Sequence, residues 1–333
     1  MTPLRPSLAD LRARVHKDRS GAIGNWLARR IVRPAAVPGT WLAIRLGLGA
    51  HHVTALALVT ALAGAGALGT GLRSGFVIGS ALALVAFWLD HVDGQVARWR
   101  GTASLDGVYF DYLMHHAWSA ALGFAAGYGL AVRTGVVGYA LAGFSAAAGW
   151  VFLGLHNDCR YKAFFQRLKS TQASYRVDGG AGGRPMPPAA WPRRGWGVVS
   201  WPAYKICEPH MVLLELTVLA ALAVAWPAAW MRAWPVWVVL HALMAPALAA
   251  LRAARSIRAG SVEAEFARWF RPPGLPASAW TVDPGTSMTR DAGFGSWDCD
   301  PSGPGLGPAG AWTIHDERRD RQPGPLPASS GRS

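Results

Sequence analysis

Six stretches of this chain, at about 52–72, 75–98, 107–132, 135–157, 210–230 and 234–252, are apolar over the length that a bilayer crossing needs, about 20 residues each. Segments in lipid must satisfy their own backbone polar groups, so the expected fold is all-α: a polytopic integral membrane bundle of six transmembrane helices. A soluble helical protein with buried helices fits poorly, because the second to fourth stretches have almost no polar face outside one group of acids. Composition agrees. Half of the residues are hydrophobic (51%) and only 16% are charged, low for a soluble domain.

Charge sets the expected orientation. Arg73, Arg133 and Arg232 each stand alone on the links at one side. The other basic residues gather in the N-terminal arm, the 98–106 link, the 158–209 loop, the helix ends and the tail. By the positive-inside rule, that second side and both termini face the cytoplasm. The net charge of +14 is then a matter of topology and anionic lipid headgroups, with no nucleic-acid partner expected.

The acids stand where the second and third stretches meet the cytoplasmic side. Asp90, Asp93 and Ala97 fall at i, i+3 and i+7, one face of a helix, with Gly94 and Arg98 beside them. Gly107, Asp111 and His115 fall at i, i+4 and i+8 on the next. A carboxylate at membrane depth is costly unless paired or bound to a cation, so three together predict a divalent metal site. Oxygen ligands suit Mg²⁺ or Mn²⁺, an ion commonly shared between carboxylates and substrate phosphates. Because the acids cluster at one face and not at the midplane, an ion path of a transporter is a weaker reading.

This stretch resembles the signature of the CDP-alcohol phosphotransferase (CDP-alcohol phosphatidyltransferase) family, D-x2-D-G-x2-A-R-x8-G-x3-D-x3-D. Asp90, Asp93, Gly94, Ala97, Arg98, Gly107 and Asp111 match it in type and spacing, and His115 replaces the last Asp. The likeness covers about residues 50–116. It implies a membrane enzyme of phospholipid biosynthesis that moves a substituted phosphate from a CDP-alcohol, CDP-diacylglycerol above all, to an alcohol acceptor and releases CMP. It also implies a homodimer. Asp90, Asp93 and Asp111 would hold one or two Mg²⁺ or Mn²⁺ ions that neutralise the pyrophosphate. Gly94 and Ala97 would leave room for the nucleotide, Arg98 would pair with a phosphate or an acid, and Gly107 would let the second and third spans pack closely.

His115 stands where the family's Asp is regarded as the base that activates the acceptor hydroxyl. An imidazole can serve as that base. It can instead ligate the metal or contact phosphate, and its presence is also compatible with a scaffold that has lost its chemistry. The contrasting function is a non-catalytic membrane protein that binds a nucleotide lipid or a partner. His116, about 100° around the helix, is expected to face elsewhere. In the first stretch Thr54 fits a Pro-Asn-x-x-Thr pattern of many relatives, whereas Ala50 and His51 do not.

The remaining expectations concern the flanks. Residues 1–50 form a cytoplasmic arm, with no cleavable leader, and 21–33 mix aliphatics, Trp26 and three arginines as an interfacial amphipathic helix would. Residues 51–258 form the catalytic domain. The long basic loop 158–209 offers Arg160 and Lys162 as contacts for an anionic acceptor. Residues 259–333, rich in Pro, Gly and Ser, read as a largely disordered tail. Cys159, Cys207 and Cys299 lack metal spacing and read as free thiols. Trp41, Trp99, Trp201, Trp230 and Trp234 read as anchors at membrane boundaries.

Overall fold

A computed structural model describes residues 6–15, 27–170, 176–177 and 197–271. Four long consecutive helices form the centre of the chain: α3 (Ala50–Gly69), α4 (Arg73–Arg100), α5 (Leu105–Thr134) and α6 (Gly138–Ser170). Before them come α1 (Leu8–Arg14) and α2 (Arg33–Arg45), the latter entered through a π-helical turn at Ala28–Val32. After them come α7 (Gly197–Ile206), α8 (Pro209–Ala225), α9 (Pro227–Arg258) and α10 (Ser261–Trp269). Two short strands, β1 (Arg176–Val177) and β2 (Phe270–Arg271), pair antiparallel.

Among the described residues, four helices are long and apolar enough to cross a bilayer: α3, α4, α6 and α9. A fifth crossing arises if α7 and α8, bent by 67° at Cys207–Glu208, count as one broken span. These helices fit an integral membrane protein. The expected third span, α5, falls outside that group: the part of it free of Asp, Glu, Lys and Arg mixes His115, His116, Trp118, Ser119, Tyr128 and three glycines with its aliphatics. The boundary expected near 230–234 lies instead at Trp226, because Pro227 starts α9 and Pro235 and Pro246 are accommodated inside it.

Local chemistry sets the helix ends around the acids. Gly101, in the left-handed region at φ 64°, ends α4 after Arg98 and Arg100, whose charges favour a helix C-terminus. Ser104 then caps α5 by accepting the Gly107 N–H at 3.1 Å. The acidic motif therefore straddles a short, sharply defined link.

At the opposite half of the bundle the helices meet backbone to backbone. A Cβ on Gly79 of α4 would lie 2.6 Å from the Gly64 carbonyl oxygen of α3. One on Gly143 of α6 would lie 2.7 Å from Gly127 Cα of α5, and one on Gly149 2.5 Å from the Pro246 nitrogen of α9. Small residues at such crossings gain close van der Waals contact, the main source of helix association in lipid.

The main core runs through this half and includes Phe76, Leu68 and Leu130. Trp230 and Trp234 belong to it too, which corrects their reading as interfacial anchors. Both are fully buried, stacked with centroids 5.1 Å apart, and met edge-on by Phe76. Trp99 is likewise buried, in a second core with Leu11, Val15, Val92 and Val96.

The N-terminal segment is tied to the bundle. Residues 21–26 of the expected amphipathic helix lie outside the described residues. Further on, Thr40 of α2 donates to Gln95 Oε1 at 2.8 Å and Gln95 donates to the Arg33 carbonyl.

The 33-residue α6 is about 50 Å long by its rise per residue, so it outruns a bilayer core. Its far end carries α10 through Arg160–Glu265 and Arg167–Glu263 ion pairs and the Phe164–Phe266 contact. Part of the tail read as disordered is thus an ordered helix. Residues 272–333, with Cys299, lie outside the described residues.

Candidate metal centre

Helices α4 and α5 present their acids to each other across a gap that side chains fill. His115 Nε2 lies 3.2 Å from Asp90 Oδ1 and 3.2 Å from Asp111 Oδ1. Among the described residues, Asp90, Asp111 and His115 form the group whose donor atoms converge tightly enough to hold a metal ion. Their side chains grade from buried to open: His115 is 8% exposed, Asp90 10% and Asp111 38%. The group is therefore walled by protein on one side and reachable through Asp111 on the other.

The donors fit a divalent ion. Ligands about 2.1 Å from an octahedral ion stand about 3 Å from their cis neighbours, close to the 3.2 Å from His115 Nε2 to each carboxylate oxygen, and all three donor atoms lie within 4.8 Å of one another. Two carboxylates and an imidazole form a mixed oxygen–nitrogen set, which moves preference from Mg²⁺ toward Mn²⁺ and the later transition ions.

Asp93, the fourth expected ligand, is placed differently. Three residues along a helix turn a side chain by about 60°, enough to aim it at another neighbour. Asp93 Oδ2 accepts the Thr54 hydroxyl at 2.5 Å, and the residue is buried against α3. A hydrogen bond to a buried carboxylate contributes about 1.5–3 kcal/mol, so Thr54 fixes Asp93 next to the group of three.

The other motif residues shape the surroundings. Arg98 curls back over Gly94: a Cβ there would meet Arg98 Nη1 at 3.2 Å, and Arg98 Nε donates to the Val15 carbonyl of the N-terminal segment at 3.0 Å. The space at Gly94, expected to admit nucleotide, is taken up in part by this guanidinium. Ala97 is half-buried one turn on.

Gly107 is half-buried near His51 of α3, 3.6 Å from a Cβ placed on it. It does not bring the second and third spans together; α5 packs closely along α3 and α6. Arg160 is engaged by Glu265, and Lys162 is exposed on the far end of α6.

Two polar groups escaped the sequence reading. His116, as expected, faces away from the acids, but it meets Asp158 of α6, Nε2 to Oδ2 at 2.6 Å. Gly154 makes room for it, since a Cβ there would lie 2.9 Å from His116 Cε1. Deeper in the bundle, Glu215 Oε2 accepts Trp237 Nε1 at 2.8 Å and lies 2.9 Å from Nε2 of the fully buried His241. An acid inside the most apolar helix of the chain was the signal for the second group; nothing in the spacing marked Asp158 as the partner of His116.

No protein-family model matches the chain, and no curated protein matches it significantly.

Proposed function

We propose that the chain is an integral-membrane CDP-alcohol phosphotransferase that transfers a substituted phosphate from a CDP-alcohol, CDP-diacylglycerol above all, to an alcohol acceptor. The observation that carries this reading is the Asp90–Asp111–His115 group, with Asp93 braced beside it, in a signature whose other positions also match. On this reading α5 is a sixth crossing, with Asp111 and His115 turned to the site. The acids and both termini face the cytoplasm, where the nucleotide is dissolved, and the segment before α2 lies along that leaflet.

In the transfer, the acceptor hydroxyl oxygen bonds to the phosphorus that carries the alcohol. The pyrophosphate P–O bond breaks, its electron pair leaves with CMP, and the hydroxyl proton passes to a base. Asp90, Asp111 and His115 would hold Mg²⁺ or Mn²⁺, which supplies charge neutralisation for the pyrophosphate and the departing CMP. Asp93 adds negative charge next to them and is kept in place by Thr54. His115 turns Nε2 toward both carboxylates, and one nitrogen cannot hold a metal and a proton together. This geometry favours His115 as a ligand over His115 as the base.

The test is CMP release from CDP-diacylglycerol by the purified full-length protein with Mn²⁺ or Mg²⁺, over a panel of acceptor alcohols. Release that requires both metal and acceptor is the expected result. Folded protein that releases no CMP with any acceptor would end the transferase reading.

A further inference from the structure

A cavity of about 60 Å³ lies beside His115, between α5, α6 and the bend joining α7 to α8. This is room for about four to six water positions, or for part of a small alcohol. Its walls change character with depth. Tyr112, His116, Asn157 and Asp158 form the end level with His115. Leu122, two turns further along α5, and Leu153, Val212 and Leu213 supply the apolar part of the lining.

Two features of the walls define an occupant. The first is a pair of hydrogen-bond donors without acceptors. The indole N–H groups of Trp118 and Trp150 are buried and make no hydrogen bond among the described residues, and both residues line the cavity. A buried donor left unmade costs about 1–3 kcal/mol, so a ligand oxygen that reaches either one gains what the protein alone forgoes.

The second feature is charge. Among the described residues no Lys or Arg lines the cavity, whereas Asp158 does. The cations nearby have partners: Arg160 pairs with Glu265 and Arg167 with Glu263, and Arg252, outside the lining, donates to the side-chain oxygen of Asn157 in the wall at 3.0 Å. Asp158 is held by His116 of the same wall, so among the described residues a phosphate placed here would meet an acid–imidazole pair and no Lys or Arg in the lining.

We infer that this cavity is the acceptor site and that it takes an uncharged alcohol with an apolar body, in place of a sugar or polyol phosphate. The inference rests on the transferase reading for the word acceptor. Its hydroxyl stands at the His115 end, where its oxygen attacks phosphorus, and its apolar part lies between Trp118, Trp150 and Leu122.

The experiment has two arms on the full-length protein. In the first, thermal unfolding is followed with hexane-1,2-diol or with glycerol 3-phosphate, for the parent and for Ser119→Phe and Leu122→Trp, which fill the cavity. Expected is a saturable rise in unfolding temperature with the diol for the parent, none with glycerol 3-phosphate, and loss of the diol effect in whichever filled variant folds. In the second, CMP release is compared between uncharged acceptors (glycerol, inositol, hexane-1,2-diol) and their phosphorylated counterparts, with at least a tenfold preference for the uncharged set expected.

Turnover with phosphorylated acceptors alone would overturn the cavity inference and keep the transferase. Diol binding that the filled variants abolish, without turnover of any acceptor, would keep an uncharged-alcohol site and remove the transferase. A diol that leaves the parent unchanged would overturn the inference outright.

Discussion

At Gly64 and Gly79, and again at Gly127 and Gly143, helices α3 to α6 meet through their backbones; about three turns away, at Asp90, Asp93, Asp111 and His115, they meet through polar side chains. The first half is held by shape. Its crossings have no space for a methyl group, and its core closes on the Trp230–Trp234 stack. The second half is held by pairing. Thr54 binds Asp93, His115 stands between two carboxylates, His116 meets Asp158, and a cavity is left among them. A membrane bundle gains little hydrophobic drive from bringing helices together, so tight contact at one half is what lets the other half stay open around charge. Under the proposed function, stability and chemistry fall to different ends of the same helices.

Substitutions should separate the two ends. The largest effect is expected from Asp111→Asn, which keeps the shape of the side chain and removes the charge. CMP release should fall by at least about 100-fold, as befits loss of a metal ligand, with the unfolding temperature close to the parent's. A variant that turns over at the parental rate would break the assignment of chemistry to this end. The reverse is expected of Gly79→Val, which forces side-chain atoms into the α3 backbone. It should destabilise by about 1–3 kcal/mol or more, read as a lower unfolding temperature. Protein that does fold should keep its metal affinity. If Gly79→Val instead weakened metal binding while leaving stability intact, the division between the ends would be wrong.

The sequence made the open end more legible than the closed one. Carboxylates in apolar segments are rare enough to be conspicuous, and helical spacing placed Asp90 opposite Asp111 and His115. It could not say that Asp93 would turn to Thr54, since 60° on a helix becomes a different partner only when the neighbouring helices are known. It also could not say that Gly94 would be covered by Arg98, a contact made within one turn of α4.

The closed end left weaker marks. Glycines in an apolar run look alike, and only the packed bundle shows that Gly79 meets Gly64 and that Gly107 faces His51 of α3 in place of α4. Trp230 and Trp234 have the composition of an interfacial belt, yet the start of α9 at Pro227 points them inward to Phe76. Glu215 was legible and passed over: it is an acid in an apolar helix, the very signal that singled out Asp90.

The smallest effect expected, and the sharpest on chemistry, comes from His115→Asp. It changes no packing at the glycine end, so stability should stay near the parent's. At the site it replaces the one nitrogen donor with oxygen and adds a negative charge. An imidazole favours Mn²⁺ over Mg²⁺ relative to an all-oxygen set, so the ratio of Mn²⁺ to Mg²⁺ affinity should fall by several-fold in the variant. Calorimetric titration of each ion into detergent-solubilised protein reads that ratio without turnover, and displacement of Mn²⁺ by Mg²⁺ followed by electron paramagnetic resonance checks it. A ligand role for His115 predicts the shift. If His115 served only as a base outside the coordination sphere, Asp in its place would leave the affinity ratio where it was and alter the pH profile of CMP release alone. Both outcomes are read on the same preparation, so the variant decides between the two roles that the geometry allows one nitrogen to play.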